Sequence, residues 1–322
     1  MKSKEKKFLL ILIIVSILII IMEQLFLNIV NASYYEQQTE ENKKIIGLSD
    51  VSGEGVIIYI NDGSDLIHQE DVIILLDELK NAGAEAISVN DQRVTINTYI
   101  YCDGGVILID GQKIGNPFTI KAIGDSKTIY GSIMRNKGYI STLKNDGIKI
   151  DVDISSNITI LKTNKKISKK LEKINNSAKD YKITSQIVGK EKITGKGIEI
   201  YIDTSNEKDI TALTLIQLVN DLNSAGVEAI SINGNRITTM TDMMDISGKY
   251  ILIDSVPVKS PYLIKVVGNV KKICEVLDYE NSTINKLIES GKEVSAYSKF
   301  FISVDQYMET RGKNKLNISY IK

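Results

Sequence analysis

Two arginines at matched positions are the residues in this chain best suited to recognise something. Arg93 and Arg236 are two of only four arginines, and each closes one copy of a short run: AGAEAISVNDQR over 82–93 and AGVEAISINGNR over 225–236. A guanidinium presents a planar fork of donors to a carboxylate, a phosphate or a set of carbonyls. With the neighbouring Asn90, Gln92 and Asn233, these arginines form the candidate contact site for a ligand or partner. The same spacing suits a plainer role, in which each arginine ties its turn to nearby carbonyls or an acidic residue.

Other chemistry is thinner. The chain has no G-x-S-x-G, no S-x-x-K and no Cys/His nucleophile pairing, and His68 is its single histidine. His68 has no histidine counterpart in the second copy and reads as a surface residue. Two carboxylate pairs recur in both copies, Glu85/Glu228 and Asp110/Asp254. Glycoside hydrolysis needs two carboxylates without local spacing, and these are the candidates found in both copies; otherwise they are the wet face of a strand and ordinary turn residues. Asp62-Gly63-Ser64-Asp65 lacks the distal Glu of a calcium loop and reads as a turn. Gly53-x-Gly55 lacks the third glycine and following helix of a phosphate loop. Cys102 and Cys274 have no metal-site spacing, and a disulfide between them would have to join the two copies. They read as buried small side chains or idle thiols, with pairing left open. No metal or cofactor is expected. Forty Lys+Arg balance forty Asp+Glu, which argues against a generic polyanion binder, so nucleic acid is not expected as a partner.

The elements that must position these residues repeat with an offset of 143, the distance from Gly83 to Gly226. That period is a whole domain, and 322 residues suit about two. Ahead of them, residues 1–32 read as a transmembrane anchor or a signal: lysines at 2, 4, 6 and 7 precede an apolar stretch, residues 8–30, interrupted by Glu23-Gln24. The lysines place the N-terminus in the cytoplasm and the rest outside as a single-pass membrane protein. The rival is secretion after cleavage near Ala32, where Val30-Asn31-Ala32 has signal-peptidase spacing. Residues 33–47 read as a short stalk.

The first domain, 48–162, opens on a strand over 56–60. An amphipathic helix over 70–82 follows, with Val72, Leu75, Leu76 and Leu79 on one face. Strands over 84–89, 94–96, 106–109 and 118–123 come next, then a helix over 126–136 and closing strands over 148–154 and 158–161. A basic helical linker, 163–190, carries Ile167, Leu171 and Ile174 on one face. The second domain, 191–322, repeats the order, with Asn317-Ile318-Ser319 echoing Asn157-Ile158-Thr159. Few helices and many short-linked strands make this α+β. Each copy is expected as a mixed or antiparallel sheet with about two helices on one face, behind an N-terminal membrane helix.

The run Ala82–Asn90 with Gln92 and Arg93, then Pro117 and Ile120–Asp125, resembles the bacterial DUF881 family of YlxW/YlxX-like proteins. The second copy matches at Ala225–Gly234, Arg236, Pro261, Tyr262, Ile264, Lys265 and Gly268. The resemblance covers roughly 48–154 and 190–305, so the domain occurs in two tandem copies. It implies an exported, membrane-tethered envelope protein and supplies no catalytic residues. The expectation is therefore a non-enzymatic interaction or scaffold module, outside the membrane, in envelope processes related to division or sporulation. Its partners would be envelope proteins or copies of itself. The alternatives are a cell-wall polymer binding module, using the arginines or the basic linker, and a carboxylate-based cell-wall hydrolase.

Overall fold

The computed structural model describes residues 3–61, 67–165, 177–204, 210–246 and 250–308. It opens on one long helix, α1 (Ser3–Ile46), without interruption. Its stretch from Phe8 to Val30 is exposed and largely apolar, and α1 is long and apolar enough to cross a membrane. The segment read as a stalk is the last third of this helix. Gly47, at φ 88°, ends it in the left-handed region that glycine tolerates.

Two α+β modules follow. The first is β1 (Val51–Asn61), α2 (Gln69–Asn81), β2 (Ala86–Val89), β3 (Gln92–Arg93), β4 (Ile100–Asp103), β5 (Val106–Ile109), β6 (Gln112–Ile114), β7 (Phe118–Ile123), α3 (Ser126–Ile133), α4 (Tyr139–Asn145) and β8 (Lys149–Ile160). A helix, α5 (Ala178–Ile187), leads into the second: β9 (Ile193–Asp203), α6 (Ala212–Ser224), β10 (Ala229–Ile232), β11 (Asn235–Arg236), β12 (Met243–Ile246), β13 (Tyr250–Ile253), β14 (Val256–Val258), β15 (Tyr262–Val267), α7 (Val270–Leu277), α8 (Thr283–Glu289) and β16 (Glu293–Val304). Each module has a five-stranded sheet, ordered β3-β2-β7-β1-β8 and β11-β10-β15-β9-β16, plus a small three-stranded sheet. Every described pairing is antiparallel.

The pattern of side chains explains the layers. Val56, Ile58 and Ile60 alternate on β1 and meet Val72, Leu75, Leu76 and Leu79 of α2 in one buried core. Ile198, Ile200 and Ile202 meet Leu215, Leu218 and Leu222 of α6 in the same way. The glycine pairs near each entry strand have a steric cause. A Cβ on Gly55 would stand 1.9 Å from the Ala122 carbonyl oxygen, and one on Gly197 would stand 1.8 Å from that of Val266.

Several expectations need correction. A third helix in each module, α4 or α8, was not legible: it is only seven residues long, too short for a periodic signal. The expected helix over 126–136 ends at Ile133. The expected strand over 94–96 is instead the two-residue β3 just before it. The two closing strands are one bulged strand, β8. Its repeat mate is β16, not residues 317–319, which lie outside the described residues. The basic linker is described as helix only from Ala178; Ile167, Leu171 and Ile174, like the 62–65 turn, lie outside the described residues. Cys102 and Cys274 are both free and exposed rather than buried.

Candidate functional site

The recurring run builds a tight hairpin. Asn90 and Asp91 take φ of 45° and 62°, and Asn233 and Gly234 take 47° and 84°, which joins two strands through two left-handed residues. Each asparagine then grips the loop ahead of the next strand. The Asn90 amide donates to the Gly115 and Pro117 carbonyls, and its oxygen accepts from the Thr119 N–H at 2.7 Å. Asn233 does the same to Lys259, Pro261 and Leu263. Gln92 is half-buried, paired through its backbone with Val89.

Arg93 and Arg236 point inward. They are 3% and 2% exposed. Arg93 Nη2 donates to the Lys44 carbonyl at 3.0 Å, and Arg236 Nη2 donates to the Gln186 carbonyl at 2.9 Å. Those carbonyls belong to the last turns of α1 and α5, where the helix dipole is negative and a cation is favoured. Each arginine thus fastens a helix end to a sheet edge. Nε and Nη1 of both have no hydrogen-bond partner. Burial lowers both guanidinium pKa values to about 10; for Arg93, Asp50 opposes that shift. Neither guanidinium has a face left for an outside ligand. The basic segment contributes inward as well: Lys165 Nζ lies 2.7 Å from Asp110 and donates to the Asn97 carbonyl.

The recurring carboxylates hold loops. Asp110 accepts from the Thr98 hydroxyl and the Tyr99 N–H, and Asp254 accepts from the Thr241 hydroxyl and the Asp242 N–H. Glu85 and Glu228 are exposed on the strand approaches, and His68 is exposed just ahead of α2. Among the described residues, no cluster of His, Cys, Asp and Glu could hold a metal ion.

What the sequence reading missed is the seam between the two modules. α1 and α5 lie side by side. Asn42 of α1 is fully buried and donates to the Thr184 and Ser185 hydroxyls of α5, both at 3.1 Å. Thr184 is the repeat mate of Asn42. Nearer the membrane-crossing part, Tyr34 and Tyr35 meet Tyr181. Contacts that descend both helices together make the pair parallel. The modules are therefore related by an approximate two-fold axis along α1.

The axis is visible again between α2 and α6. Asn220 Oδ1 accepts from the Ile100 N–H at 2.7 Å, and its amide donates to the Ile100 carbonyl at 2.9 Å. At the mirrored place, Asp77 Oδ1 accepts from the Met243 N–H at 3.0 Å. Around them Ile73, Leu76, Ile216 and Val219 line a cavity of about 70 Å³. Burial pushes the Asp77 carboxyl up to about 7; Lys80 and the Met243 N–H pull it down, while Asp242 and Asp254 push it further up. The available signal was the 143-residue offset, which pairs Asp77 with Asn220 at two polar positions on otherwise apolar helix faces.

Comparison with known proteins agrees with this duplicated architecture. The profile of a family described as "Bacterial protein of unknown function (DUF881)" matches residues 38–173 and 181–316. UPF0749 protein YlxW of Bacillus subtilis is 33% identical over 147 residues, 41% of this chain and 64% of that protein. UPF0749 protein Rv1825 of Mycobacterium tuberculosis is 35% identical over 89 residues, 26% of this chain and 30% of that protein. The chain thus spans less than two thirds of either relative's length. A crystal structure of an uncharacterized conserved protein from Mycobacterium tuberculosis aligns with a TM-score of 0.38 at 26% identity, over 41% of this chain and 96% of that one. Both profile segments begin in or next to a helix whose end an arginine caps, and together they cover most of the chain: it belongs to the DUF881 family and carries the family's domain twice in tandem.

Proposed function

We propose that this protein is a single-pass, membrane-tethered scaffold that presents a rigid pair of non-enzymatic modules outside the cytoplasm, for an envelope process such as division or sporulation. One observation carries the reading. The apolar span and the folded modules share a single helix, capped by Arg93 and paired with α5 through Asn42. A tether of this kind fixes the orientation of what it carries, which suits a docking platform better than a flexible leash. The same continuity disfavours cleavage near Ala32, which would cut inside a helix. The recurring polar residues also support a structural rather than catalytic use: Arg93, Arg236, Asp110 and Asp254 all hold their own backbone.

The two native thiols provide the test. Cys102 and Cys274 are exposed, one on each module. A membrane-impermeant maleimide should label both in intact cells, on a full-length protein that resists alkaline extraction. Labelling only after lysis would invert the topology, and release of a shortened chain to the medium would replace the tether with secretion.

A further inference from the structure

The two modules differ most at their outer strands. β8 and β16 are equivalent, each pairs with a single strand among the described residues, and the approximate two-fold sets them on opposite flanks of the pair. Register matches them residue by residue. Asp151 lies opposite Tyr59 and Asp153 opposite Ile57, where Ser295 and Tyr297 lie opposite Tyr201 and Glu199. Both strands bulge at the same place. The first bulge holds Ser156-Asn157 and is closed by the Ser155 hydroxyl, which bonds to Asn157 at both its carbonyl and its N–H. The second holds Phe300-Phe301, each 82% exposed. Lys196 stands 5.6 Å over the Phe300 ring, and Lys299 precedes it, 3.0 Å from Glu199. Tyr297 adds another exposed ring. One flank is therefore aromatic, with Lys196 and Lys299 beside the rings, Glu199 paired to Lys299 and the exposed Glu293 at its start. The other carries Asp151 and Asp153 on one face and the exposed Ile154 on the opposite face, with Leu161 exposed beyond the bulge and the exposed Lys149 and Lys162 at its two ends.

Two adjacent phenylalanines in water are a contact surface without its occupant. The complementary surface is on the same chain, on the opposite flank. We propose that the β16 flank of one molecule docks on the β8 flank of another, Phe300 and Phe301 covering Ile154 and Leu161 while Lys196 and Lys299 face Asp151 and Asp153. Such a contact is head-to-tail, and unless its rotation closes a ring it propagates as a row. The two-fold runs along α1, so the row lies in the membrane plane, with every anchor pointing the same way. Each flank is a twelve-residue strand of roughly 40 Å at ~3.3 Å per residue. One strand edge is a modest interface, and confinement by the anchors raises the effective concentration at which it works. A lipid surface is the weaker occupant. α1 continues sixteen residues from Val30 to Ile46, about 24 Å at ~1.5 Å per residue, before the modules begin.

The proposal rests on the tethered reading only for the plane of the row; the contact itself is tested apart from topology. Full-length protein in nanodiscs or detergent is treated with a zero-length carbodiimide, which joins lysines to carboxylates. A ladder beyond dimer is expected, with peptides carrying Lys196 or Lys299 joined to peptides carrying Asp151 or Asp153. Two variants then separate head-to-tail from symmetric pairing. Phe300→Ser with Phe301→Asn installs the first module's own bulge residues and removes one flank. Asp151→Asn with Asp153→Asn weakens the other. Each alone should lose the ladder, at least tenfold in the concentration of half-association, while keeping the parent's thermal unfolding. Mixed, they should form a dimer that grows no further. Self-association of the Asp variant through β16 alone, or a parent that stays monomeric at every concentration, would overturn the proposal.

Discussion

The seam between the modules predicts its own pH dependence, through one residue. Asp77 and Asn220 are two-fold mates, but only Asn220 can both accept from and donate to the strand it faces. The approximate two-fold puts the Met243 carbonyl where the Ile100 carbonyl stands beside Asn220, and a charged Asp77 accepts from the Met243 N–H but has no donor to offer there. A proton on Asp77, or an amide in its place, restores the missing donor. The carboxyl's ordinary value of 3.8 rises to about 7 in the folded protein. The folded state therefore holds the proton more tightly than the unfolded chain. The contribution to stability is complete below pH 3.8, falls as pH rises from there, and is gone above about 7. At 1.36 kcal/mol per pH unit the whole swing is up to about 4 kcal/mol. Asp77 lines the cavity between the modules, where water relieves part of the burial, so roughly half of that is the working figure.

Asp77→Asn makes the seam symmetric and uncharged at every pH. We expect the variant to match the parent near pH 4 and to exceed it by about 2 kcal/mol at pH 8, the difference growing mostly between pH 4 and 7. The chain has no tryptophan, so urea unfolding of the full-length protein in detergent is best followed by circular dichroism. Comparing variant with parent at each pH cancels the other titrating groups. A difference that stays within ~0.5 kcal/mol from pH 4 to 8 would show that Asp77 is hydrated and would refute the reasoning. A variant less stable than the parent at pH 8 would refute the two-fold hydrogen-bond match itself.

Three further outcomes follow from the same geometry. Arg236→Met should cost less than about 1.5 kcal/mol, because the lost cap is offset by relief of a buried charge with two unpartnered nitrogens, whereas Arg236→Ala should cost about 2–4 by leaving a cavity; equal costs in thermal unfolding would remove the charge from the account. Gly197→Ala should destabilise by about 3 kcal/mol or more, since its Cβ would meet the Val266 carbonyl, while Gly234→Ala meets no atoms and is limited to the strain of its turn; the ranking is read from denaturant midpoints. Asn42→Ala should cost about 1–3 kcal/mol and loosen α1 from α5, seen as faster proteolysis in the segment between Ala32 and Gly47; unchanged protection would mean the helices pair without it.

Much of the fold was legible because its signals are local. The i, i+3, i+4, i+7 run in α2, the Asn-Asp and Asn-Gly turns and the alternation in β1 each act within a few residues. The helices that were missed are short and gain their stability from packing. Arg93 and Arg236 stand out in the sequence by their rarity and matched positions. Whether such a side chain points outward or into a helix end depends on where α1 and α5 lie, and those contacts are 49 and 50 residues away in sequence. The polar seam was harder still. Asn42 looks like a solvent position on its helix, and Asp77 and Asn220 are lone polar residues on apolar faces; all three find their partners only when a second copy is laid against the first.

That second copy changes what the duplication means. Two identical chains meeting across a two-fold must use the same residues on both sides, so any preference for one flank over the other is forbidden. Fusing the copies removes that constraint. Here the seam has stayed nearly symmetric: Ile73 and Leu76 answer Ile216 and Val219, and Arg93 answers Arg236. The flanks have not, with Asp153 against Tyr297 and Ser156-Asn157 against Phe300-Phe301 at matched register. A symmetric inside with an unlike outside is the arrangement that gives a pair a head and a tail. If the flanks bound unrelated partners independently, exchanging Phe300-Phe301 for Ser-Asn would leave the β8 flank's binding untouched and no mixed dimer would form between complementary variants. The mixed dimer is therefore the outcome on which this reading of the duplication stands.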